Sequence, residues 1–152
     1  MTSGEPTAVR IANGTDCFAE QRGLGISIVT FKTISSELLV LENIFHAKGG
    51  PPRHLHFYQE EWFYALEGDF VFEVGTERFT LHPGDSLLAP RQVPHVWAHV
   101  GPVQGRILIT FQPAGDMEAF FREATQSNAM PQDSDLFRRH GMNLLGPPLT
   151  VE

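Results

Sequence analysis

The chain has 152 residues, 41% hydrophobic and 19% charged, which are the proportions of a folded domain and exclude wholesale disorder. Eleven Lys and Arg against eighteen Asp and Glu leave a formal charge of -7, so the basic footprint of a nucleic-acid or anionic-membrane binder is missing. With Cys17 as the single cysteine, an internal disulfide and a paired-cysteine metal or redox site are both excluded.

The length is that of one domain, expected to span 1–152. No apolar run is long enough to cross a membrane as a helix. The opening residues 1–6 lack the basic and apolar regions of a secretory signal, and a cytoplasmic protein is expected. Residues 1–16 are small and polar and read as a loosely held arm. From Gly25 to Glu37 side chains alternate, with Ile26, Ile28, Thr30 and Lys32 on one side and Ser27, Val29, Phe31 and Thr33 on the other. That is a strand pattern rich in β-branched residues. Leu38–His46 is a second apolar run, ended by Lys48-Gly49-Gly50-Pro51-Pro52.

Short strands are then expected at 53–57, 61–67, 70–74, 78–81, 86–89, 93–100 and 106–111, cut by Gly68-Asp69, Gly75-Thr76 and His82-Pro83-Gly84-Asp85. About nine short strands in one domain describe a sandwich or barrel spanning roughly 17–113. After Gln112-Pro113 the period changes to that of a helix: Met117, Phe120, Phe121 and Ala124 follow Asp116. Asp133 begins a second short helix carrying Leu136 and Phe137, and Gly141 stands where a helix-ending glycine belongs. These two helices, in an extension over about 114–152, are expected to pack on the outside of the barrel.

Three of the seven histidines, with one acidic residue, form a candidate ligand set. His54 and His56 are two apart, so in a strand they point to the same face. Glu61 follows across a turn, and His95 lies on a later strand. Three imidazoles and one carboxylate form a mixed nitrogen and oxygen set suited to one divalent transition metal: Fe, Mn, Ni, Co, Cu or Zn. The lack of thiolate argues against a closed structural zinc site.

At these residues the chain resembles the cupin family. The pattern H-x-H-x3,4-E-x6-G is met by His54, His56, Glu61 and Gly68, with Gly49 one residue nearer than the leading glycine should be. Glu60 competes for the acidic position, but only Glu61 keeps the spacing to Gly68. The second pattern, G-x5-P-x-G-x2-H-x3-N, is met by Gly84, Pro90 and His95. Gln92 stands where it has Gly, and His99 where it has Asn. The first departure bears on the turn, because Gly is the residue that tolerates positive φ. The resemblance implies an all-β jelly-roll barrel with His54, His56, Glu61 and His95 as metal ligands.

Pro51–His56, Glu61–Gly68 and the tail around His140–Leu149 look like small single-domain bacterial cupins described as similar to quercetin 2,3-dioxygenase. That likeness implies a metal-dependent dioxygenase acting on a small aromatic or enolic, flavonol-like substrate with dioxygen. Glu61 would then be both ligand and proton acceptor. Non-redox isomerase or decarboxylase chemistry, and ligand binding without turnover, are the alternatives. A homodimer is expected, with the strand around Ile26–Thr33 offering an exposed edge. His99 shares a strand face with His95 and Trp97, so it is a candidate for the cavity wall. His46 and His82 read as structural or solvated. His140 reads as a favourable cation in the last turn of a helix. The phenylalanines, Phe45, Phe63, Phe72 and Phe111 among them, read as core.

Overall fold

Alternating apolar side chains put the strands into two antiparallel sheets with their apolar faces toward each other. The computed structural model describes residues 7–152; the opening residues 1–6, and with them part of the expected arm, lie outside the described residues. The strands are β1 (Gln21–Leu24), β2 (Ser27–Ile34), β3 (Leu39–Phe45), β4 (His54–His56), β5 (Glu60–Glu67), β6 (Phe70–Val74), β7 (Glu77–Leu81), β8 (Ser86–Ala89), β9 (His95–His99), β10 (Gly105–Gln112) and β11 (Met142–Leu144). One sheet has the order β1-β2-β3-β10-β5-β8 and the other β11-β4-β9-β6-β7. Two short helices, α1 (Met117–Ala124) and α2 (Ser134–Arg139), follow β10. No helix among the described residues is long and apolar enough to cross a membrane.

Each expected strand is present, and two more join them. β1 has no alternating pattern, and β11 is three residues long. Both exist by pairing: β1 on β2, and β11 on β4 through Met142 with His56 and Leu144 with His54. β2 is therefore paired on both sides, by β1 and β3, and is not the free edge expected of it. The segment before β1 is also held more firmly than a loose arm. Asp16 is buried and its carboxylate accepts from the backbone N–H of Phe31 at 2.7 Å and of Phe18 at 2.8 Å. The Lys32 ammonium donates to the carbonyls of Ala12 and Thr15.

Between the sheets the core is largely aromatic. Phe45, Phe63, Phe70 and Phe72 are fully buried around Trp97. Phe63 meets Phe72 edge-on at 4.7 Å, and Phe72 stacks on the indole at 5.6 Å. Such pairs add about 0.5–1.5 kcal/mol each beyond the area they bury.

The helices lie outside the strands, as expected, but across the open end of the barrel rather than on the back of a sheet. Phe121 packs on Phe31 and Phe111, and Phe137 tilts over His54 at 5.6 Å. Asp133 caps α2 by accepting from the N–H of Asp135 at 2.9 Å, and Gly141 ends it at φ +75°. Asp116 starts α1 without capping it, because its carboxylate is paired with His140 Nδ1. The other ring nitrogen of His140 lies 2.8 Å from Glu123, so this one imidazole ties the end of α2 to both ends of α1.

Gln92, which stands where the resembled pattern has glycine, takes a left-handed conformation with φ +67°. Its backbone N–H donates to the carbonyl of His56 at 2.6 Å, which ties the turn before β9 to β4. A non-glycine residue in the left-handed region costs about 1–2 kcal/mol, against about 0.5–1 kcal/mol of extra chain entropy lost by glycine. The variant Gln92→Gly should therefore unfold about 0.5–1 kcal/mol later in a denaturant titration. An unchanged or lowered stability would show that the Gln92 side chain contributes more than the strain.

Candidate metal centre

Strand parity collects the ligand-type side chains. In β4, His54 and His56 face inward and Leu55 faces out. In β5, Glu61 shares the inward face with Phe63 and Ala65, while Glu60 falls on the other. Of the two acids, it is therefore Glu61 that faces the cluster. His95 is the first residue of β9 and pairs directly across from His54. One ligand atom from each of His54, His56, Glu61 and His95 lies within 4.8 Å of the other three. The four side chains are 6%, 2%, 4% and 1% exposed.

The ring orientations are those of metal ligands. Nδ1 of His54 donates to the Pro52 carbonyl at 2.7 Å, and Nδ1 of His95 to the Val93 carbonyl at 3.2 Å. Each of these bonds fixes the tautomer that leaves Nε2 with a free lone pair. Glu61 Oε1 lies 3.0 Å from Nε2 of His95 and 3.1 Å from Nε2 of His56. The His56 contact lacks hydrogen-bond geometry, and both ring nitrogens of His56 are buried without a partner. An orphaned imidazole nitrogen, two tautomer-fixed imidazoles and a carboxylate converging on one point fit a divalent cation.

Charge reinforces this. Burial, together with the neighbouring His95 and His56, pushes the His54 imidazole down to about 3, so at neutral pH it is uncharged. Burial alone would raise Glu61, but the His56 and His95 imidazoles beside it hold its carboxyl well below the usual range. The site thus presents an uncharged His54 imidazole and an ionised Glu61 oxygen, each in the state that metal ligation requires.

His54, His56 and Glu61 form one wall of a cavity whose remaining lining is nearly all apolar. Ile109 and Phe111 come from β10, Trp97 from β9, and Met117, Phe120, Phe121 and Phe137 from the helices. The cavity measures about 50 Å³. Asn43, on the inward face of β3, is the one uncharged polar amide on this wall. Sequence reading passed over it, although it stands at an inward position of an otherwise apolar alternating strand.

The other histidines stay apart from the centre. His99 does point inward, but two residues beyond Trp97 and outside the cavity wall. It packs between Phe45 and Phe70, and Nδ1 donates to the Ala47 carbonyl at 3.0 Å. A Cβ on Gly105 would fall 2.4 Å from this ring, so glycine is required there. His46 is exposed, and His82 is exposed and paired with Asp69 at 2.8 Å. Phe45, Phe63, Phe72 and Phe111 are core, as expected, and Phe111 also lines the cavity.

Residues 43–111 match the family model described as a cupin domain, a span that contains all four ligand-type residues. Polyketide synthase CurC of Streptomyces cyaneus is 26% identical over 80 residues, which cover 53% of this chain and 52% of that protein. The chain spans about half the length of the curated relatives it matches. Among solved structures, KdgF from Halomonas sp. superposes with a TM-score of 0.65 at 19% identity, over 74% of this chain and 99% of that one. An RmlC-like cupin from Shewanella frigidimarina superposes with a TM-score of 0.56 at 24% identity, over 70% of this chain and 96% of that one.

The low His54 value makes a pH prediction. A proton binds residue 54 of the unfolded chain below the ordinary 6.5 but enters the folded, metal-free protein only near 3. In that window the unfolded state holds the extra proton, so stability is lost as pH falls, by up to about 1.4 kcal/mol per pH unit per proton. Urea midpoints of chelator-treated protein between pH 7 and 4 should drop more steeply than those of His54→Phe. Parallel slopes would contradict a buried neutral imidazole.

Proposed function

We propose, from the premise that this chain carries a cupin domain with three imidazoles and one carboxylate meeting inside its barrel, that it is a metal-dependent dioxygenase acting on a small aromatic or enolic compound. The observation that carries this reading is the convergence of His54, His56, Glu61 and His95 in an apolar, enclosed cavity. A divalent transition metal held by these four residues supplies a Lewis-acidic seat for an ionised enol or phenol oxygen and, where the ion is redox-active, reactivity toward dioxygen.

The chain's own residues do the rest. Glu61, the carboxylate of the cluster, is the proton acceptor for a substrate hydroxyl that a bound cation would acidify. Phe111, Phe120 and Phe137 offer rings against which a flat substrate stacks. The same apolar wall keeps bulk water away from a reactive anion and suits dioxygen, itself apolar. A polyhydroxylated sugar would find few hydrogen-bonding partners there. The helices over the cavity and its modest volume favour a small member of the class.

A second reading, a non-redox isomerase or decarboxylase on the same enolic class, draws on the likeness to polyketide synthase CurC, because polyketide carbonyls enolise without an oxidant. A homodimer belongs to the same proposal. Trp62 and Leu88, exposed cross-strand partners on β5 and β8, supply an outward apolar pair for it.

Oxygen-electrode traces with a panel of catechols, enols and flavonols separate the two chemistries. The first reading expects dioxygen uptake matched to substrate loss; substrate conversion under strict anaerobiosis would instead establish the second. Under either, Glu61→Ala should lower turnover by about 100-fold or more and weaken metal binding by a smaller factor. A variant that keeps full turnover would remove Glu61 from the chemistry.

A further inference from the structure

Asn43 is 5% exposed and faces the cavity from the inward side of β3, in line with Leu41 and Phe45. Its Oδ1 is buried with no hydrogen-bond partner. Exchanging the amide oxygen and nitrogen would leave a buried donor in the same position. An unpaired buried amide destabilises a fold by about 1–3 kcal/mol, and an apolar residue of the same shape would be free of that penalty. Nothing in the packing of β3 calls for it, since Leu39, Leu41 and Phe45 fill the same face with hydrocarbon.

The register places this amide away from the metal ligands. Asn43 pairs with Ile107 of β10, whereas Glu61 pairs with Phe111. Four residues of strand separate the two levels, about 13 Å at about 3.3 Å per residue. Both side chains nevertheless line the one cavity. A molecule seated by an oxygen at the His54–His56–Glu61–His95 end therefore extends along hydrocarbon toward a single polar group.

We propose that Asn43 is the specificity-determining residue of the cavity: it hydrogen-bonds a hydroxyl or carbonyl at the end of the ligand remote from the metal-binding oxygens. The inference rests on the metal-site reading of the same cavity and adds the ligand class. The ligand is a small phenol or enol with a second, distal oxygen, and Asn43 selects it over its hydrocarbon isostere. A site built to pair such a group discriminates strongly against the analogue that lacks it, because the buried amide is then left unpaired.

The test uses zinc-loaded protein and two catechols that differ at one atom, 4-(hydroxymethyl)catechol and 4-ethylcatechol, with binding measured by calorimetry. The native chain should bind the hydroxymethyl compound at least about tenfold more tightly than the ethyl one. Asn43→Leu should abolish this preference, retain bound zinc, and raise the melting temperature, because an unpaired amide has been removed. Asn43→Ala, which cannot overfill the cavity, should abolish the preference as well. An equal preference in native and variant proteins would overturn the role of Asn43. So would a fall in melting temperature of Asn43→Leu with the preference intact, since the amide would then be structural. Failure of zinc-loaded protein to bind either catechol would overturn the ligand class. Failure to take up zinc would overturn the metal reading beneath it.

Discussion

Burying three imidazoles and a carboxylate at one point is the constraint on which the rest of the structure depends. Each unpaired buried polar group costs about 1–3 kcal/mol, and an ionised carboxylate costs more. The Nδ1 bonds of His54 and His95 offset part of this, but His56 is left with no hydrogen-bond partner. A cation bound by one lone pair of each group would relieve much of the deficit. The surrounding fold holds the four donors in place: β4 sets two of them on one face, the direct pairing of His54 with His95 adds a third, and the parity of β5 selects Glu61.

The supports of this cluster reach into distant parts of the chain. The turn at Gln92 keeps a left-handed conformation and bonds the carbonyl of His56. β11 pairs with β4 along the two histidines. The helices close the barrel over the ligands, and His140 ties α1 to the end of α2 through Asp116 and Glu123. The carboxyl-terminal segment is therefore part of the centre's enclosure. It sets the cavity's size, and with it the size of any molecule that reaches the four donors without displacing α1 and α2.

Much of this was legible in the residues. His-x-His in a strand places both rings on one side, and Glu61, which the spacing to Gly68 favoured over Glu60, is the one of the two that faces inward in β5. Asp133 and Gly141 marked the ends of α2 correctly. The parts that were not legible are non-local. β11 is too short to show a period and is a strand only because β4 lies beside it. The apolar stripe of α1 announced that the helix packs but not on what, and a barrel mouth and a sheet back offer similar hydrocarbon. Asn43 was missed because an isolated polar residue in a strand becomes informative only when its face is known to be inward. His99 shows the converse: parity put it inside, yet two residues along β9 separate the cavity wall from the aromatic core.

Elemental analysis of the native protein, purified without added metal, tests the central claim most directly. About one transition-metal ion per chain is expected, and it should be lost on replacing His56 with alanine while the fold, followed by circular dichroism, persists. A native chain that is metal-free, takes up no divalent ion on titration and retains its melting temperature when treated with a chelator would contradict it.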